Sequence, residues 1–490
     1  MNFKILSNFI NLVGNYYCVF LFKLIGFYFM LYLFITNLEI IINLIVGFDL
    51  ICTEGFPAFG ADGLLIFFIL FFLFDICRNI EDSQDVSYVQ HIIFLIIALL
   101  FVLLFLTFQI FPWNLDYSYF YGHLYINKFI LICKAVIIIF TILFFITMFD
   151  NVKKENYLYV ELPLLILFSL EGMFLLISSN DLFTLYLALE LQSLALYIIC
   201  SINRYSNLGI EAGLKYFILG SFSSAILLFG ISLIYGFLGT TNYQELYLCL
   251  HPDFINDNLI ILYFSFGCIV VGLLFKLAIF PFHFWVSDVF EGSPNIVTYF
   301  FALVPKISIF FVLFRLLFVV FINFINFYSF IILFCAIFSI LIGSVLALYQ
   351  VKIKRFFAYS AIVHMGYILL SLFLGNWVGV YTSFYYLLVY LLASVNIFTI
   401  FLAIYKNDNS NIKNIADVIS IVHSNPLLSF IFTINLLSLG GIPPFAGFYG
   451  KLHVFFLLLD TGNYFLAMLV VLFSVLNCVY YISSYVFYCS

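Results

Sequence analysis

Apolar runs long enough to cross a bilayer recur from one end of this chain to the other, and the polar positions between them are few and short. At about 20 residues per crossing helix, these runs predict about 14 spans. An apolar region at about 5–48, carrying Lys23 and Glu39, has room for one or two helices. Further stretches lie near 57–77, 91–111, 127–149, 159–178, 181–202, 210–236 and 258–280. Beyond an interruption come 295–318, 324–349, 355–375, 378–404, 427–456 and 461–488. The longest polar islands, "RNIEDSQDV" (78–86) and "KNDNSNIKNIAD" (406–417), read as loops and leave no room for a domain outside the membrane. Because backbone groups in lipid must find partners within their own segment, the pattern predicts an all-α polytopic membrane protein.

Two stretches depart from that pattern. In "GLLFKLAIFPFHFW" (272–285), Lys276 stands among apolar residues and Pro281 follows five positions later. A lysine at the centre of a membrane helix costs roughly 2.5 to 3.5 kcal/mol, and a proline removes an amide donor. In "LSLGGIPPFAGFYGK" (437–451), Pro443 and Pro444 precede Lys451, so the order of lysine and proline is reversed. Interrupted helices at corresponding positions in two halves predict inverted repeats, with ion sites where half-helices meet.

Other charges fall inside apolar spans. Glu190 in "LYLALELQSLALY" lies about nine residues into its span, roughly 14 Å deep at 1.5 Å per residue. Lys306 in "FALVPKISIF" and His364 in "AYSAIVHMGY" are similarly deep, and Lys215 in "GLKYFILG" lies nearer its helix start. Taken singly, each Glu or Lys is also explained by a structural ion pair, and His364 by a core histidine with satisfied hydrogen bonds. Their recurrence favours a pathway for ions. "KIKR" (352–355) reads as an interfacial flank with snorkelling side chains. Glu190 reads as the only carboxylate near mid-membrane, leaving the lysines no other acidic partner at that depth. It is therefore expected to pair with Lys215 or Lys276, directly or through one water.

Composition agrees: 66% of residues are hydrophobic and 9% charged, against about a quarter charged in soluble proteins. The net charge of -6 is spread over loops and offers no argument for nucleic acid. The 68 Phe and 35 Tyr, beside only 26 Gly and 10 Pro, point to an AT-rich coding genome of the kind an organelle carries. The aromatic residues read as lipid-facing and core filler. The ten cysteines show no CxxC spacing and read as small hydrophobes. No NADH, flavin, quinone, haem or iron–sulfur chemistry is visible, and "MNFKILSNFINLVG" lacks a transit-peptide pattern.

"SSNDLFTLYLALELQSLALY" (178–197), "EAGLKYFILGSFSSAILLFGISLIYG" (211–236), "KLAIFPFHFWVSDVFEGSPNIVTYFFALVPKISI" (276–309), "IKRFFAYSAIVHMGYIL" (353–369) and "LLSLGGIPPFAGFYGKLHVF" (436–455) resemble the subunit 2 family of respiratory NADH:ubiquinone oxidoreductase, complex I. These blocks span about 160–456 and are specific. The resemblance implies an antiporter-like fold of two inverted five-helix repeats, broken in the family's seventh and twelfth helices. It carries over Glu190 on the fifth family helix, Lys215 on the sixth, Lys276 on the seventh, Lys306 on the eighth and Lys451 on the twelfth, with His364 a link between repeats. The expected organisation is an extension with added helix or helices (1–56), N-terminal transmembrane helices (57–157), a first repeat (158–318), a second repeat (319–460) and a C-terminal helix (461–490). The family has no counterpart to the extension and is expected to continue with one more helix after 490.

The function implied is that of a proton-translocating membrane-arm subunit, driven by NADH:ubiquinone oxidoreduction elsewhere. NADH, FMN, iron–sulfur clusters and ubiquinone would belong to partner subunits, with no cofactor or metal in this chain. Expected partners are other membrane-arm subunits, including a neighbouring antiporter-like one, and lipids such as cardiolipin, but no nucleic acid. The expected location is the mitochondrial inner membrane, with mitochondrial coding. Burial pushes a lysine to lose its proton and a nearby carboxylate holds it on. A partner switch worth about 4 kcal/mol, three powers of ten in proton affinity, matches the roughly 3.5 to 4.6 kcal/mol needed to lift a charge against about 150 to 200 mV. The alternatives are a stand-alone cation/proton antiporter of the same fold, a plastid relative, and a scaffold bundle that has lost pumping; the retained Glu and Lys set speaks against the last.

Overall fold

The computed structural model describes residues 56–78, 86–110, 116–151, 161–250, 259–403, 414–418 and 426–489. Residues 1–55 of the expected extension lie outside the described residues. Sixteen α-helices form among the described residues. In chain order they are α1 (Phe56–Arg78), α2 (Val86–Ile110), α3 (Lys128–Asn151), α4 (Glu161–Ser178), α5 (Leu182–Cys200), α6 (Asn207–Leu238), α7 (Tyr243–Cys249) and α8 (Leu259–Lys276). Then follow α9 (Phe284–Gly292), α10 (Asn295–Arg315), α11 (Ile325–Leu348), α12 (Ile353–Leu372), α13 (Trp377–Ala403), α14 (Pro426–Gly440), α15 (Ala446–Asp460) and α16 (Tyr464–Cys489).

Ten of these, α2 to α6, α10 to α13 and α16, are long and apolar enough to cross a membrane; Asp62–Leu73, Ile260–Lys276 and Pro426–Gly440 are shorter apolar helices. α6 has 32 residues, about 48 Å at 1.5 Å each, against a hydrocarbon core of about 30 Å, so it must tilt or project. Ends are set by local chemistry. Asp181 caps α5 through the Phe183 amide, and Gly239, at φ 74°, closes α6 in a left-handed turn that a side chain would resist. A small antiparallel hairpin that the hydrophobic pattern did not predict joins α2 to α3: β1 (Tyr117–Tyr119) pairs with β2 (Leu124–Ile126), Ser118 opposite Tyr125. Asn180 and Asp181 tie it to the start of α5, with Asn180 Nδ2 donating to the Gly122 carbonyl at 3.1 Å and His123 Nδ1 lying 2.9 Å from Asp181 Oδ2.

Every residue of α10 is buried. This helix packs against α3, α4, α8, α12 and α13 and forms the axis of the bundle. Peripheral helices are two-faced. On α16, Phe465, Met468, Leu472, Val475 and Val479 are exposed, a stripe at helical spacing that suits lipid. Its opposite face, with Val470, Asn477, Tyr480 and Tyr481, is buried.

Two helical paths are interrupted. Between α8 and α9 the chain leaves helical geometry over 277–283, which includes Pro281 and an Ala278 at φ 62°. The indole of Trp285 donates across this gap to the Phe275 carbonyl at 3.1 Å, supplying a partner the helix no longer provides. Between α14 and α15 the interruption covers 441–445, with Gly441 at φ 82° followed by Pro443 and Pro444.

Candidate functional site

The last residue of α8 is Lys276, half-buried beside the first break. Its Nζ donates to the Tyr197 hydroxyl on α5 at 2.9 Å and stands 5.2 Å from that ring's centre. Gly220 on α6 makes room for this phenol: a Cβ there would stand 2.7 Å from Tyr197 Cζ. Lys306 sits at the middle of α10, directly after Pro305, and is 6% exposed. It donates to the Tyr390 hydroxyl on α13 at 3.3 Å and lies 5.4 Å from that ring's centre.

Both lysines line one small cavity of about 20 Å³, together with Gln192, Ser193, Tyr216 and Trp285. About 10 to 15 Å³ is enough for one water. Gln192 is buried, and its Oε1 has no hydrogen-bond partner among the described residues. A water held there would satisfy it and bridge toward the lysines.

The chain of polar groups continues through α12. His364, 2% exposed, faces the Tyr386 hydroxyl at 3.0 Å through Nδ1 and the Tyr481 hydroxyl at 3.1 Å through Nε2. Its ring centre is 5.1 Å from that of Tyr390, the partner of Lys306, and it lies within electrostatic reach of both Lys306 and Lys451. Lys451 on α15 is 5% exposed and donates to the Gly440 carbonyl at 2.6 Å. That carbonyl ends α14 and is one of the acceptors a broken helix frees. The Lys451 Nζ also stands 5.6 Å from the ring centre of Tyr367, which lies 6.0 Å from the Tyr386 ring. The site therefore runs from Lys276 past the cavity to Lys306, then by way of Tyr390, His364, Tyr386 and Tyr367 to Lys451.

Lys276, Lys306 and Lys451 form no ion pair among the described residues; hydroxyls and a carbonyl receive them. This corrects the reading of the aromatic residues as filler. Buried Tyr197, Tyr367, Tyr386, Tyr390 and Tyr481 are all members of this network, and the hint available in the sequence was the density of Tyr inside the same spans that carry the charges.

Two further expectations are corrected. Lys215 has acidic partners: Glu211 one turn back and Asp288 on α9, each at 2.7 Å. It is 43% exposed and opens on a pocket lined by Asp288, Glu291 and Arg355. Arg355 reaches Asp288 at 3.4 Å and also pairs with Glu291, as does Lys352. So "KIKR" supplies ion pairs to α9 as well as a flank. Glu190, half-buried on α5, makes no ion pair with Lys215 or Lys276 among the described residues, and its Oε1 has no hydrogen-bond partner there. It nevertheless acts electrostatically on Lys276 and Tyr197. Nor is it alone: Asp62 and Glu171 are also buried carboxylates within apolar helices.

No group of His, Cys, Asp or Glu suited to a metal ion occurs among the described residues. A bundle of apolar helices, two of them broken beside lysines, with basic groups threaded through its interior, defines a polytopic membrane protein of antiporter-like design. The family model described as NADH:quinone oxidoreductase/Mrp antiporter, TM, matches residues 179–477, and this chain belongs to that family. It is 40% identical over 365 residues to NADH-ubiquinone oxidoreductase chain 2 of Marchantia polymorpha, covering 74% of each. It is 39% identical over 333 residues to NADH-quinone oxidoreductase subunit N of Paramagnetospirillum magneticum, covering 67% of this chain and 68% of the relative. Among solved structures, a chain of respiratory complex I from Thermus thermophilus with bound Aureothin matches with a TM-score of 0.70 and 27% identity, over 86% of this chain and 88% of that one. The relatives identify an antiporter-like membrane subunit of the complex I kind, part of an oxidoreductase that translocates protons.

Proposed function

We propose that Glu190, Lys215, Lys276, Lys306, His364 and Lys451 carry protons through this subunit as part of the membrane arm of a complex I. The observation that carries the reading is the series of basic and tyrosine groups inside the bundle from Lys276 to Lys451, joined in part by hydrogen bonds and in part by ring contacts of about 5 to 6 Å. A lysine held by a hydroxyl or a carbonyl gives up or takes a proton without first breaking an ion pair. Lys215, held by two carboxylates at the partly exposed pocket, suits a proton-collecting end. Glu190 acts on Lys276 through its charge, so that moving or neutralising it alters how firmly the lysine holds its proton.

NADH, FMN, iron–sulfur clusters and ubiquinone belong to partner subunits in this reading, and their free energy reaches this chain through neighbouring membrane-arm subunits, one of them antiporter-like. The plant chain 2 relative and the Phe-rich composition support a mitochondrial inner-membrane location with mitochondrial coding, where cardiolipin would be a natural lipid partner. The test is Lys306→Met in the complete complex reconstituted into vesicles: proton pumping and coupled NADH:quinone turnover should fall together at normal assembly. Unchanged pumping would remove Lys306, and with it the continuity of the run.

A further inference from the structure

A second set of buried charges lies outside the run. Asp62 on α1 and Lys134 on α3, each 1% exposed, form a two-pronged ion pair, Nζ donating to Oδ1 at 2.8 Å and to Oδ2 at 2.7 Å. Lys134 Nζ also stands over the Phe174 ring, 5.7 Å from its centre. Phe174 is one turn past Glu171 on α4, so the ammonium lies beside the helix face that carries this second carboxyl group. Glu171 is 4% exposed, and neither of its oxygens has a hydrogen-bond partner among the described residues. It senses the charges of both Asp62 and Lys134, and Tyr119 on β1 lies within electrostatic reach of both carboxyl groups.

One lysine thus lies near two buried carboxyl groups and gives two of its three N–H donors to one of them, with none reaching the other among the described residues. Leaving the other ionised in an apolar setting without a partner is unfavourable, whereas a neutral carboxyl group is tolerated there. Two like-charged carboxylates also disfavour each other. We propose that Asp62, Lys134 and Glu171 form a proton-holding site, separate from the lysine run, in which one proton and one ammonium are shared between two carboxyl groups. In the arrangement seen, Lys134 pairs with Asp62 and Glu171 carries the proton on a carboxyl oxygen. In the alternative arrangement Lys134 pairs with Glu171, and the proton sits on Asp62. The exchange conserves charge and protons, and a shift of α3 between α1 and α4 would drive it.

The experiment is infrared difference spectroscopy on the intact purified complex, comparing wild type with Glu171→Gln and Asp62→Asn. The C=O stretch of a protonated carboxyl group, identified by its shift in deuterium oxide, should vanish in Glu171→Gln. It should also vanish in Asp62→Asn although Glu171 is still present, because Lys134 then turns to Glu171 and holds it ionised. A carboxyl region unchanged by Glu171→Gln would overturn the proposal, as would a band that survives Asp62→Asn. The readout is protonation rather than pumping, so it stands or falls independently of the lysine run.

Discussion

Tyr197→Phe tests the central geometry with the smallest change. The substitution removes one hydroxyl oxygen, the group that accepts from Lys276 Nζ at 2.9 Å, and leaves the ring in place. A hydrogen bond to a charged group contributes about 1.5 to 3 kcal/mol. The balance between loaded and empty Lys276 should therefore move by roughly 10- to 150-fold at about 1.4 kcal/mol per tenfold. That change approaches the roughly 3.5 to 4.6 kcal/mol needed per proton against about 150 to 200 mV, so coupling should weaken visibly. The assay is proton uptake and NADH:quinone turnover by the complex in sealed vesicles, with wild type, Tyr197→Phe, Lys276→Met and the double variant at equal assembly. Because tyrosine and lysine act as one unit, the double variant should be no worse than Lys276→Met alone. Full pumping in Tyr197→Phe, or losses that simply add in the double variant, would refute the reasoning.

Gly220→Ala places a methyl group 2.7 Å from Tyr197 Cζ; overpacking of this kind costs about 1 to 3 kcal/mol, and the variant should show the Tyr197→Phe coupling defect together with a lower melting temperature of the complex. Glu190→Gln removes a charge while keeping shape, and should reduce pumping and coupled turnover with assembly intact; normal activity at normal assembly would make Glu190 a structural residue. Gly441→Ala sets a side chain at φ 82° and brings its Cβ to 2.9 Å from Lys451 Nζ, a strain of about 1 to 3 kcal/mol. Thermal unfolding and pumping should both suffer there, whereas Gly236→Ala, with open space around its Cβ, should leave pumping unchanged.

Much of the architecture was legible because membrane insertion is governed by local composition. A span such as 181–202 announces itself by its own residues, and α5 forms at Leu182–Cys200. Charges inside apolar runs were legible for the same reason, since each is costly where it stands. Even so, Asp62, Lys134 and Glu171 were passed over, although each is a single charge within an apolar run; they lie outside the stretches whose family resemblance drew attention to Glu190 and the lysines. The hairpin at 117–126 escaped because three-residue strands leave almost no periodic signal.

What the chain determines by itself is that it enters a membrane, roughly where it crosses, where its helices must break, and which side chains are too costly to be there without use. What only the tertiary structure decided is which groups meet. Lys276 and Tyr197 are 79 positions apart, Lys306 and Tyr390 84, and His364 and Tyr481 117. Of the two lysines expected to pair with Glu190, Lys215 meets Glu211 and Asp288 instead, the latter 73 positions away and on the far side of a broken helix. Such pairings depend on helix rotation and on close approach at small residues, as where Gly220 admits the Tyr197 phenol. Helix rotation is set by packing against neighbours, and the spacing of residues along any one helix does not contain it.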